Sequence, residues 1–220
     1  MCGICGQLRF DDEYVSSKSL TEMMSKLARR GPDSNGKWLE GKIGFGHQRL
    51  SVIDLSNLGS QPMVDKLLNL TLVFNGTIYN YKTLRSKLIA KGYTFFSHSD
   101  TEVIIKSYHF WGKDCVKHLD GMFAFAIWNK NSQELFIARD RMGIKPLYFN
   151  LTSKAFTFAS NSQALLTQKI DKSVNPVALH HQLSLHGVVP APNTIINGIH
   201  KLKPGTFATL NSDGKLREKT

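Results

Sequence analysis

The chain has 220 residues, 41% of them hydrophobic, and a formal net charge of +11, which is enough to bury one large core or two small ones. No apolar run approaches a membrane span, residues 1–10 lack the basic start and apolar stretch of a secretory signal, and three cysteines are too few and too odd in number for a disulfide framework, so a reducing cytoplasm is the expected setting. The lysines stand singly, as at Lys82, Lys87, Lys91, Lys106 and Lys113, with no basic block and no aromatic interleaving; the charge argues against a nucleic-acid groove and fits docking onto an acidic partner surface equally well.

In chain order, residues 18–30 place Leu20, Met23, Met24, Leu27 and Ala28 on one helical face, and Gly31-Pro32 ends that helix. LTLVFN (70–75) reads as a strand. A helix follows at 81–91, with Asn80 as its cap, Leu84 and Leu88 on one face, and Gly92 at its end. A third runs from about 101 to 111, with Val103, Ile104, Tyr108 and Trp111 inward and Gly112 following. GMFAFAIWN (121–129) and ELFIARD (134–140) read as a hairpin across NKNS. PLYFN (146–150) and AFTFAS (155–160) form a second hairpin, and TFATLN (206–211) is a further strand. The segment 176–186 reads as a helix carrying three of the eight histidines, and 187–205 as irregular Pro/Gly-rich chain. Hairpins outnumber βαβ units, and strand 122–128 has too little polar alternation to face water. The reading is α+β, with two packed, mainly antiparallel sheets and helices outside.

The opening MCGICG admits three readings. Cys2 and Cys5 could be a metal or redox pair, two inert buried thiols, or a nucleophile with a neighbour. A zinc site wants a second ligand pair, and none is in sight; Cys5 and Cys115 read as structural thiols. Residue 2 is small, so methionine removal is chemically easy. It would leave on Cys2 an α-amine with an ordinary pKa near ~8 beside a thiol near ~8.5, a base on the same residue as its nucleophile. Asn75-Gly76 at a strand end is a turn signal, or a pair of donors for a developing oxyanion. Arg49, at the end of a probable strand, is a surface ion-pair residue or a bidentate carboxylate ligand. Asp100 is a helix N-cap or the holder of an ammonium group.

Taken together, C-G-I-x-G at 2–6, R-G-P-D at 30–33, H-x-R-L-S at 47–51, Q-P-M at 61–63, N-G-x-I-Y-N at 75–80, S-D-T-E-V at 99–103, D-G-M-F-A-F-A-I-W at 120–128 and R-D-R-x-G-x-K-P-L-Y at 139–148 resemble one family along nearly the whole chain. It is the class II glutamine amidotransferase domain of asparagine-synthetase-type enzymes, an N-terminal-nucleophile hydrolase. R-F at 9–10, F-F-S at 95–97, YHFWGKDCV and HGVVPAPNTI resemble in particular the branch that makes N-acetylglutaminylglutamine amide.

The resemblance implies a four-layer αββα sandwich. It implies that Cys2, freed of Met1, attacks the side-chain amide of glutamine, and that Asn75 and Gly76 stabilise the oxyanion. Arg49 would hold the α-carboxylate and Asp100 the α-amine, with Leu50, Ser51, Val52 and Ile53 lining the pocket. Thr77 stands where asparagine synthetases usually carry a glutamate that helps hold the amine, so a weaker grip, or a non-catalytic module that kept the fold, is the rival expectation. By the same resemblance residues 2–210 are the glutaminase domain and 211–220 the start of a linker to a synthetase domain. No S-G-G-x-D-S loop and no G-x-x-x-x-G-K-S/T occurs, so ATP and Mg are expected only in that further domain and no cofactor in this one. The expected partners are glutamine and the synthetase domain, with no nucleic acid and no membrane, and with room left for a homodimer.

Overall fold

Period-two alternation along the strands sorts the buried side chains into three apolar layers. The computed structural model describes residues 1–220. The chain runs β1 (Gly3–Arg9), α1 (Ser17–Ser25), the hairpin β2 (Ser34–Glu40) and β3 (Ile43–Arg49), β4 (Met63–Asp65) and β5 (Leu70–Ile78). Then come α2 (Tyr81–Ile89), α3 (Asp100–Trp111), the short α4 (Cys115–His118), and the hairpin β6 (Gly121–Asn129) and β7 (Glu134–Arg139). A further hairpin, β8 (Tyr148–Leu151) and β9 (Ala155–Ala159), precedes α5 (Ser162–Leu165), α6 (Pro176–Ser184), β10 (His200–Lys201), β11 (Phe207–Leu210) and β12 (Arg217–Lys219).

The strands form two six-stranded sheets, β10-β8-β9-β1-β3-β2 and β12-β11-β7-β6-β5-β4, with antiparallel pairing throughout. Between the sheets lie Ile4, Phe45 and Phe158 from the first and Val73, Ala124, Ala126 and Ile137 from the second. The outer face of the first sheet packs Cys5 against Leu20, Met23, Met24 and Leu27 of the α1 region and Leu165 of α5. The outer face of the second packs Leu70, Leu72 and Phe74 against Leu84 and Leu88 of α2 and Val103 and Ile104 of α3. The expected αββα sandwich is therefore the observed fold.

Local chemistry moves several expected boundaries. The α1 helix starts where Ser16 Oγ accepts from Ser19 N–H, but its α-helical turns end at Ser25, and a 3₁₀ turn covers Ala28–Arg30. Ala28 consequently faces solvent. Asn80 stands at the N-cap position of α2, but its side chain makes no capping bond. Its amide donates to the His118 carbonyl (2.9 Å) and to Asp120 Oδ2 (3.2 Å), clamping the start of β6 instead. Asp100 is the first residue of α3 rather than its cap; Ser99 caps, its Oγ accepting from Thr101 N–H. Gly112 closes α3 at φ +59°, a left-handed position that favours glycine. The strand β1 was hidden by its own composition, since a run of Gly and Cys carries little β propensity.

Candidate active site

The same alternation that builds the core assembles the site. In β1 the even residues Ile4 and Leu8 face the second sheet while Cys5 faces α1. One step before the strand, Cys2 therefore points to the inner side. Cys2 and Cys5 lie on opposite faces, which rules out a shared metal or a joined C-x-x-C pair. No cluster of three or more His, Cys, Asp or Glu side chains could hold a metal ion. In β3, Ile43 and Phe45 face inward, and Arg49 continues their phase. In β5, Val73 faces inward while Leu72 and Phe74 face the helices. Asn75 and Thr77 thus project from the second sheet toward Cys2 and Arg49 of the first.

A cavity of about 200 Å³ opens at this end of the sandwich, lined by Met1, Cys2, Arg49, Leu50, Val52, Ile53, Asn75, Gly76, Thr77 and Asp100, among others. Of the residues named from the sequence, Ser51 alone stays off it; its N–H is held by Asp33 Oδ2 at 2.7 Å. Val52 stands at the mouth, 70% exposed.

The free donors at Asn75 and Gly76 follow from strand register. β4 pairs with β5 only between Met63↔Leu72 and Asp65↔Leu70. Beyond Leu72, β5 loses its partner on that edge. Antiparallel pairs alternate in which side their N–H and C=O groups face. Phe74 N–H goes to the β4 side, where it meets Gln61 Oε1 at 2.6 Å, and Ile78 N–H goes the same way to Asp100 Oδ2 at 3.0 Å. Gly76, midway, shares their phase, so its N–H faces the cavity. Beside it the Asn75 side chain is 1% exposed, and its Nδ2 has no hydrogen-bond partner, an expensive state for a buried donor unless a ligand meets it. Gly76 has to be glycine: a Cβ there would lie 2.2 Å from the Met122 carbonyl oxygen and 2.8 Å from Phe123 Cα.

The charged groups bracket these donors. Cys2 Sγ accepts from Leu50 N–H (3.4 Å), and the thiol is 3.5 Å from the Leu50 carbonyl. Burial pushes the thiol above its ordinary value, while the Leu50 N–H, the chain-terminal charge and Arg49 pull it down. Arg49 is 7% exposed, and its guanidinium donates to the carbonyls of Ser56 (3.0 Å) and Asp54. This orients it by gathering the 50–59 loop around it. Asp100 is 4% exposed with no ion-pair partner among the protein's own side chains. Burial lifts its carboxyl to about 6, against the downward pull of the N–H groups of Ile78, Asp100 and Thr101. Among the charged groups that line the cavity, Arg49 is an anchored cation and Asp100 a buried anion lacking a counter-charge, and the Cys2 thiol and the Asn75 and Gly76 N–H donors share the lining with them.

Sequence reasoning missed the groups that hold these parts still. Asp54 Oδ1 accepts from Ser56 N–H and Oγ–H, and its Oδ2 from His98 N–H, tying the Arg49 loop to the loop before α3. Glu102, wholly buried, accepts from Phe96 and Ser97 N–H and from Ser97 Oγ, which fixes the approach to Asp100. Arg30 Nε donates to the Cys2 carbonyl at 3.1 Å. Lys145, 3% exposed, reaches the cavity on a loop whose turn is held by Asp140, which accepts from Phe123, Met142, Ile144 and Lys145 N–H. Arg30, Glu102, Asp140 and Lys145 stand inside the segments R-G-P-D, S-D-T-E-V and R-D-R-x-G-x-K-P-L-Y quoted above, which was their only sequence signal; Asp54 lies outside all of those segments.

Comparison with known proteins bears on the family and the fold. The chain is 39% identical over 223 residues to "Asparagine synthetase [glutamine-hydrolyzing] 1" of Bacillus subtilis (strain 168), which covers 100% of this chain and 35% of that protein. It is 36% identical over 224 residues to "Putative asparagine synthetase [glutamine-hydrolyzing] 2" of Methanocaldococcus jannaschii, covering 92% of this chain and 42% of that one. It therefore spans roughly a third to two-fifths of the length of these relatives. Among solved structures, the glutamine phosphoribosylpyrophosphate amidotransferase from B. subtilis superposes with a TM-score of 0.71 at 19% identity, over 99% of this chain and 49% of that one, a likeness of fold. A family model described as a glutamine amidotransferase domain matches residues 1–219, and the chain belongs to that family.

Proposed function

We propose that this chain hydrolyses glutamine at Cys2 and supplies ammonia for amidation of a carboxylate, as part of an asparagine-synthetase-type enzyme whose ATP- and Mg-dependent synthetase domain lies outside residues 1–220. The observation that carries the reading is the shared cavity, lined together by Cys2, Arg49, Asp100 and Asn75, whose Nδ2 has no partner. Glutamine's amino-acid end is a zwitterion. Arg49 holds its carboxylate and Asp100 its ammonium, which leaves the side-chain amide directed at Cys2.

Met1 precedes Cys2 and lines the same cavity. Once it is removed, the α-amine of Cys2 takes the thiol proton, and Sγ forms a bond to the amide carbon. The C=O electron pair moves to oxygen, where Asn75 Nδ2 and Gly76 N–H receive it. Collapse of the intermediate breaks the C–N bond. The amine returns its proton to the departing nitrogen, which leaves as ammonia. Water, deprotonated by the same amine, then cleaves the thioester to glutamate and the free thiol. A glutaminase domain over residues 2–210, with 211–220 leading toward the synthetase part, fits this reading, as does a cytoplasmic setting for a catalytic thiol. Homodimerisation and the N-acetylglutaminylglutamine amide branch are finer readings that rest on sequence resemblance alone.

The test is a glutaminase assay on protein whose loss of Met1 has been verified by intact mass. Wild type is expected to release glutamate and ammonia, and Cys2→Ala to release neither. Undiminished turnover in Cys2→Ala would remove the nucleophile assignment. An inactive wild type with a verified N-terminus would favour the non-catalytic module that Thr77, in place of a second anion, makes the rival reading.

A further inference from the structure

Two of the sequence segments singled out above, H-x-R-L-S and Q-P-M, contribute a side chain each that the proposed chemistry does not use: His47 and Gln61. Both converge on one residue, Phe74, directly before the oxyanion pair. Phe74 is 3% exposed, so its N–H and C=O, facing the edge that β4 has abandoned, need partners inside the protein. Gln61 Oε1 accepts from Phe74 N–H at 2.6 Å. His47 Nε2 lies 3.3 Å from the Phe74 carbonyl oxygen. A carbonyl can only accept, so Nε2 carries the proton. Burial holds the ring's pKa down to about 4, which makes it neutral at physiological pH and leaves the bare Nδ1 as the atom without a partner.

We propose that Gln61 and His47 are positioning residues that stand in for the missing stretch of β4 and set the pitch of the segment carrying the Asn75 and Gly76 donors. Their own anchors are independent of β5. His47 sits on β3 of the opposite sheet and is wholly buried. Gln61 Nε2 reaches Thr101 Oγ1 of α3 at 3.4 Å, and its backbone carbonyl is packed so closely on β2 that a Cβ at Gly36 would lie 2.0 Å from it. One step further along the same edge, Asp100 Oδ2 holds Ile78 N–H. The edge is thus pinned at residues 74 and 78, and Gly76 N–H between the pins is left for a ligand. A continuous β4 would satisfy the same groups but would occupy Gly76 N–H as well; side-chain substitutes release that one donor.

The inference rests on the proposed oxyanion role of Asn75 and Gly76, so its test includes Asn75→Ala as a comparator. Steady-state glutaminase kinetics are measured on Gln61→Met, His47→Leu, and His47→Gln, which keeps an Nε2 donor. Misplaced donors weaken only the transition-state contact. Gln61→Met and His47→Leu are therefore expected to lose roughly 10- to 100-fold in kcat, with KM within about threefold of wild type. His47→Gln recovers most of the loss. In parallel, amide exchange is followed by NMR. In Gln61→Met, Phe74 N–H exchanges at least about tenfold faster, and the Gly76 resonance moves.

If Asn75→Ala is crippled while Gln61→Met and His47→Leu keep wild-type kcat per folded molecule, the positioning role is overturned and the glutaminase reading stands. If wild type lacks activity, the glutaminase reading fails on its own. The exchange rates then decide whether Gln61 and His47 hold the strand: unchanged protection at Phe74 and an unmoved Gly76 resonance overturn the inference.

Discussion

Replacing Asp100 with asparagine separates binding from stability, because the structure makes the two pull in opposite directions. The carboxyl is buried at the first turn of α3, bonded to Ile78 N–H at 3.0 Å and without a cation of its own. Its pKa rises from 3.8 to about 6. A carboxyl whose folded value lies above its unfolded value contributes stability that is fully present below about pH 3.8 and is lost as pH rises through about 6. The gap is worth roughly 3 kcal/mol at 1.36 kcal/mol per decade. At pH 7.5 the ionised group is therefore a liability of that order in the empty site. At about 2–4 °C per kcal/mol for a chain of this size, relief of the whole penalty raises Tm by at most roughly 6–12 °C. The asparagine side chain keeps an oxygen for Ile78 N–H and removes the charge.

The expected result is that Asp100→Asn melts at or above wild type at pH 7.5, with the advantage gone by pH 4, while glutamine binding weakens. Loss of one charge-assisted hydrogen bond, about 1.5–3 kcal/mol, reduces kcat/KM by roughly 10- to 100-fold. In wild type, kcat/KM should rise with pH through about 6 as the carboxylate forms in the free enzyme, and the acid limb of kcat should move to lower pH because a bound ammonium stabilises the ion. Thermal melts across pH and kinetics on the same preparations read both halves. A variant that melts lower than wild type at pH 7.5 and keeps wild-type kcat/KM would refute the reasoning twice, leaving Asp100 as a helix-terminus residue only.

Gly76→Ala places a methyl group 2.2 Å from the Met122 carbonyl oxygen, so the backbone has to shift; a loss of about 1–3 kcal/mol in stability and of turnover is expected, checked by melts and assay, and an active variant with an unchanged Tm contradicts the β5–β6 register. Thr77→Glu adds a second anion near Asp100 on the inner face of β5; KM for glutamine is expected to fall if threonine is only a missing contact, and a rise in KM with intact folding would mean the pocket is built around threonine. Cys5 and Cys115 are fully buried, with thiols pushed up to about 12, so folded protein at pH 8 is expected to take up iodoacetamide at Cys2 alone, read by peptide mass; labelling at Cys5 at a comparable rate would show the first sheet is not closed over α1.

What the sequence made legible follows from what each residue has to do locally. The hairpins at 121–139 and 146–160 and the helix at 100–111 were readable because apolar runs and turn residues suffice to specify them. Arg49, Asn75, Gly76 and Asp100 each stood open between a structural and a functional reading, and only the family resemblance joined them as a set; Asn75 and Gly76, read as a strand end, lie inside β5. The strands β1 and β2 escaped because GICGQLR and SNGKWLE are poor in β-branched residues; their pairing comes from neighbours in the sheet, a tertiary override of weak local preference. The side chains of Asn80 and Asp100 depart from a capping role for one reason. Asparagine and aspartate before a helix satisfy whichever donors lie nearest, and here those belong to the approach to β6 and to β5, about forty and about twenty residues away in sequence. Gln61 and His47 were invisible as positioning residues because nothing in sequence says where β4 stops.

The layer architecture has a direct bearing on the chemistry. Cys2 directly precedes β1 of the first sheet, and Asn75 and Gly76 belong to β5 of the second. The distance between the proposed nucleophile and the proposed oxyanion donors is therefore a sheet-to-sheet distance, set by the side chains packed between them rather than by any loop. Packed sheets ordinarily stand about 10 Å apart, too far for short side chains to share one reacting carbon across the gap. Two features shorten the reach here. Ala124 pairs with Asn75, and Ala126 with Val73, so the second sheet presents small side chains beside Asn75, while Gly6 of the first leaves room for Phe45 and Phe158 to settle between the layers. Cys2 also lies just ahead of β1, before the first ladder residue Gly3, where the backbone can lean inward and Arg30 Nε holds the Cys2 carbonyl. In the proposed chemistry, a nucleophile just ahead of β1 and small side chains beside Asn75 answer one geometric problem together. Cys2 approaches the Asn75 and Gly76 donors of the facing sheet without breaking either sheet, and the rigidity of the packed layers becomes the rigidity of the site.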